Sequence, residues 1–283
     1  MYNITYKHLK GDRTMKRIQK TDRIGAISNI LTENPNQILT LTYFCELFGC
    51  AKSTISEDLD IIKETFKSFD LGTIETVSGA AGGVYYNPLM TRKQIKEFTK
   101  DICIRMKEPE RIIPGGYLYT NDLLYCPQIC SRIGNALASL FAGIDIDYVI
   151  TVETKGIPIA MMTARALNKP MVVVRNQSKL TDGTVIHMNY MSSGGHRIKT
   201  MCLSTKAVKK GSKVLFIDDF MKAGGTANGI IDLMDEFESE VVGGGVLMAT
   251  KEPEEKLFHN YKSLFVLNGI DEINKKIDIE SVL

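Results

Sequence analysis

No apolar run in the 283-residue chain approaches the ~20 residues that cross a bilayer. Met1 to Thr14 holds no apolar signal core either. Both absences predict a cytoplasmic protein with no membrane partner. Excess charge is missing as well: 35 Lys and Arg stand against 33 Asp and Glu, a net charge of +2. A uniformly basic coat is excluded, so any nucleic-acid surface has to be a local patch. The six cysteines (Cys45, Cys50, Cys103, Cys126, Cys130 and Cys202) are scattered. Only Cys126 and Cys130 lie close, and no second pair or His completes a zinc set. Reduced thiols and no metal are the favoured reading, with a site at Cys126/Cys130 as the alternative. Two nucleotide loops are also missing. The chain has no Gly-x-x-x-x-Gly-Lys-Ser/Thr, and no Gly-x-Gly-x-x-Gly following a strand.

What is present is an ordinary globular composition, 44% hydrophobic and 24% charged. The length predicts two domains. Residues 1–14 show no periodicity and read as a flexible extension. Between Lys7 and Arg23 the chain carries Lys7, Lys10, Arg13, Lys16, Arg17, Lys20 and Arg23 against only Asp12 and Asp22. That is a basic patch, or equally a solvated face.

Helical patterns follow. Thr21 caps one with Ile24, Ile27, Ile30 and Leu31 on a single face, broken at Pro35. Leu41 to Phe48 is a short helix stopped by Gly49. Thr54 to Phe69, capped by Ser53 or a neighbour, places Ile55, Leu59, Ile62 and Phe66 at 4-3-4 spacing. Two helices about a short Gly-containing turn read as helix-turn-helix. Lys52, Ser53, Thr54 and Ser56 at the start of the second suit contact with phosphates and base edges. Gly72–Val77 and Val84–Tyr86 read as strands around a Gly-rich turn, which makes the region 15–88 a winged helix. Gly82 and Gly83, with Gly79, let the wing tip approach a DNA backbone. A small helical packing domain is the structural alternative.

Thr91–Lys107 reads as an amphipathic linker helix. From Gln128 the pattern alternates: helix to Ala142, strand Asp147–Val152, helix Gly156–Asn168, strand Pro170–Arg175, strand Val214–Ile217, helix Thr226–Phe237, strand Val242–Ala249. Alternation of this kind predicts an α/β domain over 89–283 with a mostly parallel sheet, its ligand beyond the carboxyl ends of the strands.

The segment Val214-Leu-Phe-Ile-Asp-Asp-Phe-Met-Lys-Ala-Gly-Gly-Thr226 carries the chemistry. A buried strand ends in Asp218 and Asp219, and a Gly224-Gly225 loop opens a helix at Thr226. Backbone N–H groups there form an anion site. The two carboxylates cannot bind phosphate but accept hydrogen bonds from sugar hydroxyls, so the combination fits a phosphorylated ribose.

This stretch resembles the phosphoribosyl pyrophosphate (PRPP) signature of type I phosphoribosyltransferases. The resemblance implies that Asp218 and Asp219 hold the ribose hydroxyls and that Ala223, Gly224, Gly225 and Thr226 cradle the 5′-phosphate, with Lys222 within the same loop. Lys222 departs from the small or apolar residue usual in the enzymes. Lys155 and Gly156, in Thr151–Gly156, resemble a pyrophosphate loop, and Arg175 and Lys179 resemble a basic pair facing the same group. Thr184–Thr205, with Ser192-Ser-Gly-Gly-His196, looks like the mobile hood loop. Phe220 and Tyr117 are expected to stack at the base position, unless Tyr117 simply packs in a domain interface.

A winged helix joined to such a domain resembles the purine operon repressors of Gram-positive bacteria, over roughly Met15 to Thr250. The resemblance implies a homodimeric, cytoplasmic repressor of purine synthesis and transport genes. It binds duplex operator DNA and is released by PRPP with Mg²⁺, while a guanosine alarmone competes for the pocket. In this family the transferase fold serves as a sensor with no catalytic residues. An active purine phosphoribosyltransferase with an accessory N-terminal domain is the alternative, and an RNA-binding regulator a weaker third.

Overall fold

The computed structural model describes residues 18–79, 82–191 and 198–283. Two compact units divide at Tyr86/Asn87. Arg17, residues 1–14 and the Ser192–His196 stretch lie outside the described residues.

The first unit is a winged helix. Helix α1 (Lys20–Glu33) starts two residues earlier than Thr21 would set it, with Gln19 and Asp22 closing a capping box. Helix α2 (Leu41–Phe48) is capped by Thr40, which accepts the Tyr43 N–H, and ends at Gly49 in the left-handed region. Helix α3 (Lys52–Ser68) begins after Ala51, so Ser53 and Thr54 lie in its first turn rather than before it. Strands β1 (Thr73–Val77) and β2 (Gly83–Asn87) form the wing, and Leu39 bridges to Val84 to extend it. Ile27, Leu31, Phe44, Ile55 and Ile62, almost fully buried, make one core with Ile74 and Val84.

The second unit opens with α4 (Arg92–Met106), capped by Thr91, and continues through the small hairpin β3 (Ile112–Ile113) and β4 (Tyr117–Leu118). Helices α5 (Asn121–Leu124) and α6 (Pro127–Leu140) follow. Then come β5 (Tyr148–Val152), α7 (Ile157–Leu167), β6 (Met171–Val174), β7 (Val185–Met191), β8 (Ile198–Ser204), β9 (Lys213–Met221), α8 (Gly225–Glu236), β10 (Glu240–Thr250), β11 (Tyr261–Asp271) and β12 (Lys276–Ser281). A six-stranded sheet runs β12-β11-β10-β9-β5-β6, parallel except for β12. Alternation on β9 divides the core. Leu215 and Ile217 face a cluster with residues of α4, α6 and α7, while Val214 and Phe216 face one with α8 and the β7–β8 hairpin. Strand period two produces this split, because successive side chains point to opposite faces of the sheet.

Two differences from expectation are instructive. Strands β11 and β12 complete the sheet beyond Ala249, where no further strand was expected. The hood, read as a mobile loop, contains a seven-pair antiparallel hairpin in its described part. Its inner side carries buried Tyr190, Met201 and Leu203. Helix α8 receives it at Gly229, where an added Cβ would lie 2.8 Å from Tyr190 Cβ and 2.9 Å from Met201 Cε. Any side chain there would lift the hairpin off the helix.

Candidate functional site

Strand β9 overshoots its neighbour β5. Their pairing stops at Ile150↔Phe216, whereas β9 continues beside β10 as far as Met221. Asp218 and Asp219 therefore lie inside a strand, not at its end, and on the β5 side they face an opening instead of a ladder. Such a gap at the carboxyl ends of parallel strands is where α/β sheets take ligands.

The opening is a cavity of about 230 Å³ lined by Val152, Glu153, Thr154, Lys155, Asn176, Tyr190, Lys199, Asp218, Asp219 and Thr226. It is small and polar, suited to a phosphorylated sugar more than to a drug-sized apolar ligand, for which ~300–1,000 Å³ is usual. A larger open depression, about 460 Å³, runs along α3 from Asp60 to Phe69. Its charged lining is acidic (Asp60 and Glu64), which argues against a phosphate there.

Each wall of the cavity has a local cause. The β5–α7 loop is held down by Glu153: its N–H donates to the Val174 carbonyl, and its carboxylate accepts the Asn176 N–H at 2.7 Å. Gly156 then passes close to the acids. A Cβ at this position would lie 2.4 Å from Thr151 Oγ1 and 2.7 Å from Asp218 Oδ1, so only glycine lets the loop reach Asp218. In the loop that leads to Thr226 of the lining, Gly224 takes φ +79 to turn β9 into α8. That left-handed residue before a helix N-terminus makes a nest of N–H groups for an anion.

The electrostatics are mixed. Burial pushes the Asp218 carboxyl well above the usual carboxylate range, and the charge of Asp219 adds to it. Asp219 is raised too, again chiefly by burial, while the Asp218 hydrogen bond and the Lys155 charge oppose the shift. The Asp219 N–H donates to Asp218 Oδ1 at 2.9 Å and fixes that carboxylate. Two acids held close in a half-buried place accept well from hydroxyls once ionised. Lys155 and Lys199, facing them, supply positive charge for a phosphate.

The fold brings some of the expected residues together and leaves others apart. Lys155, Asp218, Asp219 and Thr226 come together around the cavity, with Gly156, Gly224 and Gly225 shaping its loops. Arg175 and Lys179 do not line it. Arg175 instead exchanges both backbone hydrogen bonds with Cys202 and so fixes the hood, and the Lys179 N–H is used by Asp182. The second cationic wall is Lys199 of β8, which the reading of the hood as a loop concealed. Lys222 is exposed, and its carbonyl, not its side chain, is the engaged group. Tyr117 is 68% and Phe220 41% exposed, and neither lines the cavity. Glu153, Asn176 and Tyr190 also went unforeseen, since no short motif marks them.

In the winged helix, Lys20, Lys52, Ser53 and Ser56 are exposed and Thr54 half-exposed. Arg23 requires a correction. Its Nε lies 2.7 Å from Asp58 Oδ2, with side chains 12% and 1% exposed. The guanidinium ties α1 to α3 and is not offered to a phosphate. Gly82 and Gly83 have a structural reason of their own in the wing. Added Cβ atoms would lie 2.3 Å from the Val77 and Leu39 carbonyls respectively, so the wing's own packing demands these glycines.

Residues 19–88 match the family model for the bacterial purine repressor N-terminal domain, and 120–281 match the phosphoribosyl transferase domain. The chain is 45% identical over 94% of its length to the purine biosynthesis transcriptional repressor PurR of Bacillus subtilis, covering 93% of that protein. It belongs to the bacterial purine repressor family. Another member, the purine biosynthesis transcriptional activator PurR of Lactococcus lactis, is 37% identical over 93% of this chain and 97% of its own. Xanthine phosphoribosyltransferase of that species matches 43% of this chain, at 32% identity, and 62% of its own length. Among solved structures, adenine phosphoribosyltransferase of Thermoanaerobacter pseudethanolicus superposes with TM-score 0.51 at 20% identity, over 59% of this chain and 98% of its own. That likeness establishes the transferase fold of the second unit.

Proposed function

We propose that the protein is a cytoplasmic, homodimeric repressor of purine biosynthesis and transport genes that binds operator DNA through its winged helix and releases it when PRPP fills the cavity. One observation carries the proposal. A chain whose first unit is a purine-repressor winged helix holds, in its second, paired carboxylates facing a phosphate-type loop across a cavity with two lysines. The carboxylates accept the ribose 2′- and 3′-hydroxyls. The loop from Ala223 to Thr226 takes the 5′-phosphate, and Lys155 and Lys199 face the pyrophosphate. Repression rather than activation is supported by the greater identity to the Bacillus repressor than to the Lactococcus activator.

No group of three or more His, Cys, Asp or Glu side chains is placed to hold a metal ion among the described residues. The Asp218/Asp219 pair suits Mg²⁺ only as a cation that arrives on the pyrophosphate. Mg²⁺ keeps its waters and uses one or two carboxylates together with substrate phosphates. A guanosine alarmone would compete for the same phosphate and ribose positions, with Phe220 and Tyr117 as the aromatic groups available to its base.

The second reading, a phosphoribosyltransferase, is favoured by the xanthine phosphoribosyltransferase likeness. Mixing protein, PRPP, Mg²⁺ and each purine separates the two: steady pyrophosphate release would establish an enzyme. The regulator reading is tested by operator binding at fixed salt across a PRPP titration, because phosphate-driven binding varies steeply with salt. A complex that PRPP does not dissociate would refute it.

A further inference from the structure

Lys256 is 6% exposed, yet no carboxylate lies within ion-pair distance of it among the described residues. A buried charge without a partner is costly, and packing alone would be met by methionine. Its Nζ donates instead to two carbonyls at 2.8 Å, those of Pro253 and Lys222. The first contact is local. The second spans 34 residues and ends on the loop that leads into α8.

The neighbouring backbone repeats the contact, the Leu257 N–H donating to the Ala223 carbonyl at 2.9 Å. Gly224 follows so closely that a Cβ would lie 3.0 Å from the Phe258 nitrogen. A trans peptide is planar, with its N–H opposite its C=O. Pinning the Lys222 carbonyl to Lys256 turns the Ala223 N–H away from the 253–258 segment. Pinning the Ala223 carbonyl to Leu257 does the same for the Gly224 N–H. Two successive donors are thereby aimed off the far side of the loop, as an anion nest requires.

We propose that Lys256 is a positioning residue for the effector's 5′-phosphate: it orients the Ala223 amide and places a fixed positive charge beneath the loop, so that the bound phosphate dianion serves as its missing counter-ion. Burial pushes the ammonium pKa down, opposed only by the charge of Glu252, which accords with a cation awaiting an anion. The proposal rests on the phosphate-loop reading given above and adds a residue that touches no ligand.

The test is calorimetric titration of the full-length protein with PRPP, ribose 5-phosphate and inorganic pyrophosphate, for the wild type, Lys256→Met and Lys256→Arg. Lys256→Met is expected to weaken PRPP and ribose 5-phosphate by the same factor, about tenfold. Pyrophosphate, which meets the Lys155 loop, is expected to bind unchanged. Lys256→Arg keeps the charge and is expected to restore most of the loss. Equal weakening of all three ligands, with a lowered melting temperature, would reduce Lys256 to a general structural role and overturn the proposal, as would no weakening at all. Should Lys256→Met fail to fold, Lys256→Gln, which keeps an amide NH2 as donor and removes the charge, is read by the same titrations. A wild type that binds neither ribose 5-phosphate nor PRPP overturns the underlying site reading, and this proposal with it.

Discussion

Replacing Asp218 and Asp219 with Asn should stabilise the protein while disabling it as a sensor. Both carboxyls have raised pKa values in the folded state, chiefly through burial. A raised acid opposes folding at any pH above its unfolded value, because ionisation is easier in the unfolded chain. The penalty is fully developed above the folded value and disappears below the unfolded one. Desolvation dominates for both acids, and their mutual repulsion adds to it, by a few kcal/mol at most at an effective dielectric of ~20. Water in the half-open cavity screens this, and about 1–2 kcal/mol is a fair expectation for the pair. For a unit of this size that corresponds to a melting temperature about 2–8 °C higher. Asn retains the shape of Asp and removes the charge.

The cost falls on the effector. Each ribose hydroxyl exchanges a charged acceptor worth about 1.5–3 kcal/mol for a neutral one worth about 0.5–1.5 kcal/mol, and two such losses of about 1–1.5 kcal/mol should weaken PRPP binding roughly thirtyfold to 150-fold. Operator binding without effector should persist, since the acids lie in the other unit and PRPP acts only through the state it prefers. Calorimetric melting of the ligand-free protein, with operator release across a PRPP titration, reads both arms. Release at the wild-type PRPP concentration would show that the acids are not the sensor. A lower melting temperature would refute the electrostatic reasoning, even if the response were lost.

Four further outcomes are expected. Wild-type PRPP affinity should fall on acidification from above the ordinary carboxylate range near pH 4, because protonating the raised acids removes the acceptors; titrations between pH 5 and 8 at constant salt check it. Gly156→Ala should lose about 1–3 kcal/mol of stability and most PRPP affinity, because its Cβ meets Thr151 and Asp218; a variant with wild-type melting and binding would refute the packing argument. Arg23→Ala should destabilise the winged helix by about 3–5 kcal/mol by stranding buried Asp58, a loss visible in denaturant unfolding rather than in the salt slope of DNA binding. Lys52→Ala should do the converse, leaving unfolding unchanged and reducing the salt slope by about 1.

How much of this was legible in the sequence depended on how local its cause is. Helices announced themselves by apolar spacing, and Ile55, Leu59, Ile62 and Phe66 do form the buried stripe of α3. The Asp218–Thr226 stretch was readable because its acids, glycines and helix start are consecutive, so one short segment carries most of the chemistry. Strand β12 was harder to see: Ile277 and Ile279 alternate with charged residues over only six positions, a weak period. The hood concealed its hairpin because a glycine-containing stretch, read alone, looks like a loop. Its strands are held by Tyr190 and Met201 against α8, a contact made far along the chain.

Charges misled for a related reason. A basic residue close to other basic residues looks like part of a patch, but its partner is set by the fold. Arg23 meets Asp58 from 35 positions away, and that pairing removes it from the DNA face. Lys199, at the edge of a stretch read as loop, gains a place in the cavity only because β8 pairs with β7. Lys256 lies in a segment without any motif, yet the fold carries it under the loop that the motif defines. In each case the side chain's chemistry is written locally, whereas its job is assigned by which backbone runs beside it. A site built across β5, β8 and β9 can therefore be anchored by one recognisable segment while Lys199, half of its cationic lining, escapes notice.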